Sequence, residues 1–213
     1  MTTTTVSTRR AATRDRLIDA AVTVFAEKGV LGSSVEEICE RAGFTRGAFY
    51  SNFDSKDELC VAVLERKGHD MLHAATKATE EVPGEPIEPR SADEVIRRAV
   101  LVFQAGHPVD REWLLARSEL QLYALRNPSV REPLQSVERR LAELFRQAVD
   151  STVERQDASL RVPTDILLSV LKGYHETLSV EALMADRPTD DLGAAEHLAT
   201  LVRALVSFPG DAG

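Results

Sequence analysis

Apolar positions recur along this chain at helical spacing almost from end to end. From Thr13 to Lys28 they fall at Leu17, Ala20, Ala21, Val24 and Phe25, one face of a helix, and Gly29 ends the run. Val35, Ile38, Cys39 and Ala42 repeat the i, i+3, i+4, i+7 pattern on a shorter segment. Two overlapping capping boxes, Ser33 with Glu36 and Ser34 with Glu37, mark its start, and Gly43 its end. Phe44 can then turn inward, and Thr45 is a good N-cap for a second short helix over Arg46 to Phe53. Ser55 with Glu58 opens a fourth helix, Lys56 to Thr79, whose face carries Leu59, Cys60, Val63, Leu64 and Leu72.

Residues 80–90, EEVPGEPIEPR, hold three prolines, a glycine and four glutamates, and read as a linker or long loop. Helical patterns resume at Ser91 to Ala105 (Val95, Ile96, Ala99, Val100, Phe103) and stop at Gly106-His107-Pro108. They continue over Asp110–Arg126, from 129 to about 155, from 163 to about 185, and over Leu192–Phe208. Aromatics at 5%, few β-branched runs and many Ala, Leu, Glu and Arg point the same way, so the expected fold class is all-α. The expected organisation is an arm at 1–12, a three-helix helix-turn-helix domain at 13–58, and a larger helical domain at 59–213. The arm is Thr-rich and aperiodic, expected to be mobile, with Arg9 and Arg10 either reaching nucleic acid or simply solvated.

The second short helix has an unusual outer face. With Ala48, Phe49 and Phe53 packed back on the first helix, Thr45, Arg46, Gly47, Tyr50, Ser51 and Asn52 face outward. A glycine in a first helical turn costs about 1 kcal/mol against alanine, which a merely solvated helix has no reason to bear. A helix whose backbone must approach another surface closely does have a reason. One guanidinium, hydroxyls, an amide and a phenol suit phosphate oxygens and base edges. Helix, turn with glycine, helix is the arrangement that places its second helix in the DNA major groove.

The run TRGAFYSNFDSKDEL, residues 45–59, resembles the signature of TetR-family transcriptional regulators, S/T-[KR]-G/A-x-[LFI]-Y-x-x-F-x-[ST]-K-x-x-L. Ile18-Asp19-Ala20-Ala21 and Phe25-Ala26-Glu27-Lys28-Gly29 look like that family's first helix, so the resemblance covers roughly residues 10 to 65. Asn52 departs from it, standing where the family usually carries His or Tyr. The resemblance implies that Tyr50 and Lys56 hold phosphates, a positioning role. The nominated DNA-contacting set is Ser34, Thr45, Arg46, Gly47, Ala48, Tyr50, Ser51, Asn52 and Lys56.

Net charge changes this picture little. The chain carries −8 overall, but residues 1–60 hold eight basic and nine acidic side chains, so the acid excess lies beyond the motif. Arg9, Arg10, Arg14, Arg16, Arg46 and Lys56 can still form a local basic surface. Cys39 and Cys60, the chain's two cysteines, fall on apolar helix faces and read as reduced core residues. No stretch approaches the roughly 20 apolar residues of a membrane span, and the first residues lack a signal peptide's apolar core. The expected location is cytoplasmic.

The last two helices are apolar on more than one face, which calls for full burial or a partner. Pairing with a second copy into a two-fold four-helix bundle, as the resembled family does, nominates Leu167, Leu171, Tyr174, Leu178, Leu198, Leu201, Val202 and Leu205 as a dimer interface. The helices between are expected to enclose a small-molecule site, with Phe103, His107, Trp113, Tyr123, Tyr174, His175 and Met184 as its lining or, alternatively, as core. There is no phosphate-binding loop, dinucleotide fingerprint, nucleophile elbow or zinc-protease motif. His69 and His73 share a helix face but lack further ligands, so no catalytic residue, metal ligand or cofactor is nominated. The reading is a homodimeric repressor that leaves an inverted-repeat operator on double-stranded DNA when it binds an apolar or aromatic effector, without membrane association. The alternative is a small-molecule receptor or enzyme on the same scaffold that binds no operator.

Overall fold

The computed structural model describes residues 3–80, 91–187 and 193–209. Among them run helices α1 (Thr3–Gly32), α2 (Val35–Ala42), α3 (Arg46–Tyr50), α4 (Lys56–Glu80), α5 (Ala92–Ala105), α6 (Arg111–Arg126), α7 (Pro128–Arg155), α8 (Thr164–Met184) and α9 (Ala194–Leu205). Two-residue strands β1 (Ser159–Leu160) and β2 (Val206–Ser207) pair antiparallel, Leu160 opposite Val206. The all-α class holds, and the final helix stops three residues short of its expected end because Val206 and Ser207 join this small ladder. Most of the expected linker, residues 81–90, lies outside the described residues. Among those described, no helix is long and apolar enough to cross a membrane.

Two further helix limits depart from expectation. Helix α1 starts at Thr3 rather than Thr13, so the described part of residues 1–12 is helical, not an aperiodic arm. Thr13 caps nothing; its hydroxyl donates to the Arg9 carbonyl one turn back, inside a helix that Ala11 and Ala12 favour. Helix α3 ends at Tyr50, three residues early, because the chain turns at Ser51 and Asn52.

The chain forms two compact units. The first comprises residues 1–69 and 110–138, the second residues 70–109 and 139–213, so α4 and α7 each contribute to both. This partition differs from the expected division at residue 58, because α6 packs along α1 and takes the start of α7 with it. In the first unit Leu17, Phe25, Ile38, Phe49, Leu59, Val63 and Leu120 are fully buried, a core drawn from α1 to α4 and α6. Cys39 and Cys60 lie in it, both buried, and burial pushes the Cys60 thiol up to about 12.

Two contacts fix how this unit is assembled. At Gly29, φ is +74° and ψ 162°, which breaks α1 and belongs to a region only glycine occupies at low cost. A β-carbon there would also come within 2.6 Å of the Glu119 carboxylate of α6. At the head of α4, Asp57 accepts hydrogen bonds from the Tyr123 hydroxyl and from Ser129, each at 2.7 Å, tying the start of α4 to the α6–α7 corner.

Both contacts are open to measurement by urea unfolding. Gly29→Ala should cost about 1–3 kcal/mol, whereas Gly32→Ala, where a new β-carbon meets nothing closer than 3.9 Å, should stay near neutral. Equal costs at the two positions would contradict the backbone argument. The hydrogen bond to Asp57 chiefly, with burial, pushes the Tyr123 phenol up to about 12, above its ordinary 10.0. Its contribution is therefore complete below pH 10 and lost as pH rises towards 12. Tyr123→Phe should lower stability at neutral pH by about 1 kcal/mol and remove that alkaline decline; an unchanged decline would sink the assignment.

Candidate nucleic-acid interface and ligand cavity

The helix-turn-helix is built as its capping residues dictate. Of the two possible boxes the structure uses Ser34 with Glu37: the Ser34 hydroxyl accepts the Glu37 N–H, and the Glu37 carboxylate accepts the Ser34 N–H. The Lys28 ammonium, then the Ser34 backbone and hydroxyl, hold the Glu37 carboxyl down at about 2. Gly43 closes α2 in the left-handed conformation at φ +71°, and the Phe44 N–H reaches back to the Cys39 carbonyl. Thr45 caps α3 by accepting the Ala48 N–H.

Five of the nominated residues are exposed on this motif: Thr45, Arg46, Gly47, Tyr50 and Ser51. Phe49 and Phe53 are buried beneath them, with ring centroids 5.6 Å apart. Arg46 pairs with Glu36 of α2 at 2.6 Å while both side chains stay more than half exposed, an ion pair that a phosphate or a guanine edge can replace. The Ser51 hydroxyl donates to the Gly47 carbonyl, so in this state it faces its own helix.

The other four nominated residues are half-buried. Asn52 is half-buried; its amide donates to the Ala48 carbonyl at 2.8 Å, and its carboxamide oxygen is buried without a hydrogen-bond partner among the described residues. The reason is the early end of α3, which swings position 52 off the outer face. Lys56 was expected to extend to a phosphate, yet its ammonium donates to the carbonyls of Val30 and Ser33 at 2.7 and 2.9 Å. Those carbonyls belong to the turn after Gly29, where the broken helix leaves acceptors unpaired. Ser34 and Ala48 are half-buried, the first in its cap and the second against the motif.

The expected basic surface is also smaller than the count of arginines suggests. Arg14 lies 4.3 Å over the Phe53 ring and donates to the Asn52 carbonyl, and Arg16 lies 4.6 Å over Phe44 and donates to the Ala42 carbonyl. Both guanidiniums clamp α1 onto the motif. Spacing along α1 names neither partner, since Phe53, Phe44 and the bonded carbonyls come from a segment 26 to 39 positions further along the chain.

A cavity of about 670 Å³ lies in the second unit. Helices α5, α7, α8 and α9 and the β1–β2 pair wall it, mostly with leucine, valine and phenylalanine. Of the seven residues nominated as ligand lining, Phe103 lines it. His107 and His175 stand behind that wall: His107 stacks on Phe103 and Phe145, and His175 Nε2 lies 2.9 Å from the His107 carbonyl oxygen. Trp113 is buried in the first unit beneath the Lys67 ammonium, and Tyr123, also there, binds Asp57. Tyr174 turns its hydroxyl to His197, and Met184 is 83% exposed. Aromatic size and polar tips therefore pointed to core and surface positions as much as to the cavity.

The nominated dimer residues divide likewise. Leu167, Leu171, Leu198 and Val202 are buried and line the cavity, so they face the unit's own interior. Tyr174, Leu178, Leu201 and Leu205 are half-buried. The outward apolar stripe of α8 is a different set, Ile166, Val170, Val180 and Met184, with the exposed Gly173 and Thr177 between them. Both faces of this helix are apolar, and periodicity alone could not say which was the inner one.

This arrangement agrees with comparisons with known proteins. Residues 17–63 match the family described as bacterial regulatory proteins, tetR family. The chain is 44% identical over 59 residues to the HTH-type transcriptional regulator SrpR of Pseudomonas putida, a match that spans 28% of either chain. Over 202 residues, 92% of this chain and 91% of the other, it is 22% identical to the HTH-type transcriptional regulator AcrR of Shigella flexneri. In fold it is similar to a crystal structure titled as a putative TetR-family transcriptional regulator from Rhodococcus sp., with a TM-score of 0.70 and 19% identity, covering 92% of this chain and 98% of that one. The helix-turn-helix segment, residues 17–63, is thus one of the tetR family of bacterial regulatory proteins.

Proposed function

We propose that this protein is a homodimeric DNA-binding transcriptional regulator, a repressor that leaves an inverted-repeat operator when an apolar small molecule enters the cavity. The observation that carries the reading is the outer face of α3, where Thr45, Arg46, Gly47, Tyr50 and Ser51 stand exposed on a capped helix-turn-helix. Gly47 supports close approach, since a β-carbon there would meet only the Thr45 hydroxyl, at 3.7 Å, so its absence relieves no clash within the protein. Arg46 is the base-reading candidate and Tyr50 a phosphate-positioning one. The names of the relatives, transcriptional regulators such as AcrR and the repressor AcnR of Corynebacterium diphtheriae, support the same direction.

Two further features support the dimer and the switch. The stripe Ile166, Val170, Val180 and Met184 on α8 is an exposed apolar face of the kind that pairs with its own copy. Two recognition helices held about 34 Å apart read successive major grooves, which a single one cannot do. The cavity supplies a ligand site, and α4 and α7 each contribute residues both to the unit that holds the cavity and to the unit that holds the motif. Release then follows from population shift: the ligand prefers a form whose recognition helices no longer match the groove spacing.

Selection of bound duplexes from a random pool by the ligand-free protein, followed by sequencing, tests this directly. The expected result is an inverted repeat with half-sites about one helical turn apart; no enrichment at low salt, with or without cell extract, would favour a receptor that binds no operator. On the selected duplex, Arg46→Ala should relax sequence preference. Lys56→Ala should weaken binding to every duplex and reduce the salt slope by about one if its ammonium also reaches a phosphate. A fall in melting temperature with no change in slope would leave Lys56 a purely structural clamp. Val170→Glu should yield a folded monomer by light scattering that has lost most operator affinity, and a persistent dimer would remove α8 from the interface.

A further inference from the structure

We propose that the molecule this cavity takes is an apolar anion, an extended hydrocarbon body carrying one carboxylate; the inference rests on reading the cavity as the effector site. The described lining holds two guanidiniums, Arg98 of α5 and Arg155 of α7, and no aspartate or glutamate. That is the reverse of the chain as a whole, which has 34 acidic side chains against 26 basic ones. A wall drawn at random from this sequence would carry more carboxylates than guanidiniums, so the cavity departs from its own protein in the direction that welcomes an anion.

The physics favours the same class. A charge inside a low-dielectric wall feels its neighbours far more strongly than in water. A cation entering here meets two like charges and no described counter-charge. A neutral molecule offers the guanidiniums at most a neutral acceptor, weaker than an ionised one. A carboxylate meets planar forked donors suited to its two oxygens. Arg155 is exposed at the end of α7, and one of its amino groups donates to the Thr152 hydroxyl at 3.1 Å, a neutral bond that an ionised acceptor can outcompete. Arg98 is half-buried. The rest of the lining is aliphatic or aromatic apart from Thr79, Gln147, Ser151, Thr152 and Gln156, so the body of the ligand must be hydrocarbon. At about 670 Å³ the space is of ordinary ligand size.

Isothermal titration of the full chain at neutral pH, with each probe below its micelle concentration, separates the possibilities. Decanoate, decan-1-ol and decylamine share one body and differ in head-group charge. Decanoate should bind at least about tenfold more tightly than the alcohol, with the amine weakest. Octanoate, two methylenes shorter, should bind roughly fifteenfold more weakly than decanoate. Arg98→Gln combined with Arg155→Gln should erase the carboxylate's advantage and leave decanol binding as it was. Ala148→Trp, which fills the cavity from α7, should abolish all three, with circular dichroism showing the fold retained.

If decanol matches or exceeds decanoate, and Ala148→Trp still blocks both, the cavity remains the effector site and the anion proposal fails. If Ala148→Trp binds decanoate like the parent, or no probe binds the parent at all, the effector-site reading itself fails.

Discussion

A helix of five residues closes barely one turn and has no stability of its own in water, so the outer face of α3 exists only because its inner face is buried. Phe49 and Phe53 provide that burial, at 0% and 1% exposure. The surrounding cations serve the same end. Arg14 and Arg16 lie over Phe53 and Phe44 and bond to backbone carbonyls of the motif, and Lys56 bonds to two carbonyls in the turn behind it. A basic stretch of sequence is thus largely spent on holding α3 in place. What remains outward is a small, defined set, which under the proposed function suits a surface that discriminates among bases rather than adhering to any polyanion.

The same economy governs the second unit. Helix α8 turns Leu167, Leu171, His175, Ser179 and Ala182 inward and leaves Ile166, Val170, Val180 and Met184 outside. One helix can therefore wall a cavity on one side and offer an apolar face on the other. Under the proposed function the two tasks are linked by a rigid rod: a ligand that changes how α8 packs against the cavity also changes the surface it offers a second copy. The aromatic cluster of Phe103, His107, Phe145 and His175 stiffens the end of α5 beside that cavity.

The Asp57 contact has a place in this economy too. Asp57 sits in the first turn of α4, directly behind the motif, where a carboxylate is also favoured by the helix dipole. Its partners come from α6 and α7, more than sixty positions away in sequence. Neither Tyr123, which read as a pocket residue, nor Ser129 carried any mark of this. The polar tip that made Tyr123 conspicuous did require a partner; the partner was an acid at a helix start rather than a ligand.

What the sequence by itself determined is what local periodicity and capping chemistry control. The helices, the glycine that ends α2, the threonine that starts α3 and the inward aromatics were all legible, because each depends on neighbours within one or two turns. The early start of α1 escaped notice because nothing in residues 3 to 12 repeats an apolar face, although nothing there breaks a helix either. Tertiary structure alone decided the rest: which face of α8 and α9 turns inward, where Arg14, Arg16 and Lys56 spend their charge, and that Asn52 leaves the outer face. It also moved the cavity away from Trp113 and Tyr123. The physical reason is common to all of these. A long polar side chain, or a helix apolar on both sides, has several acceptable partners, and the choice among them is made by elements far away along the chain.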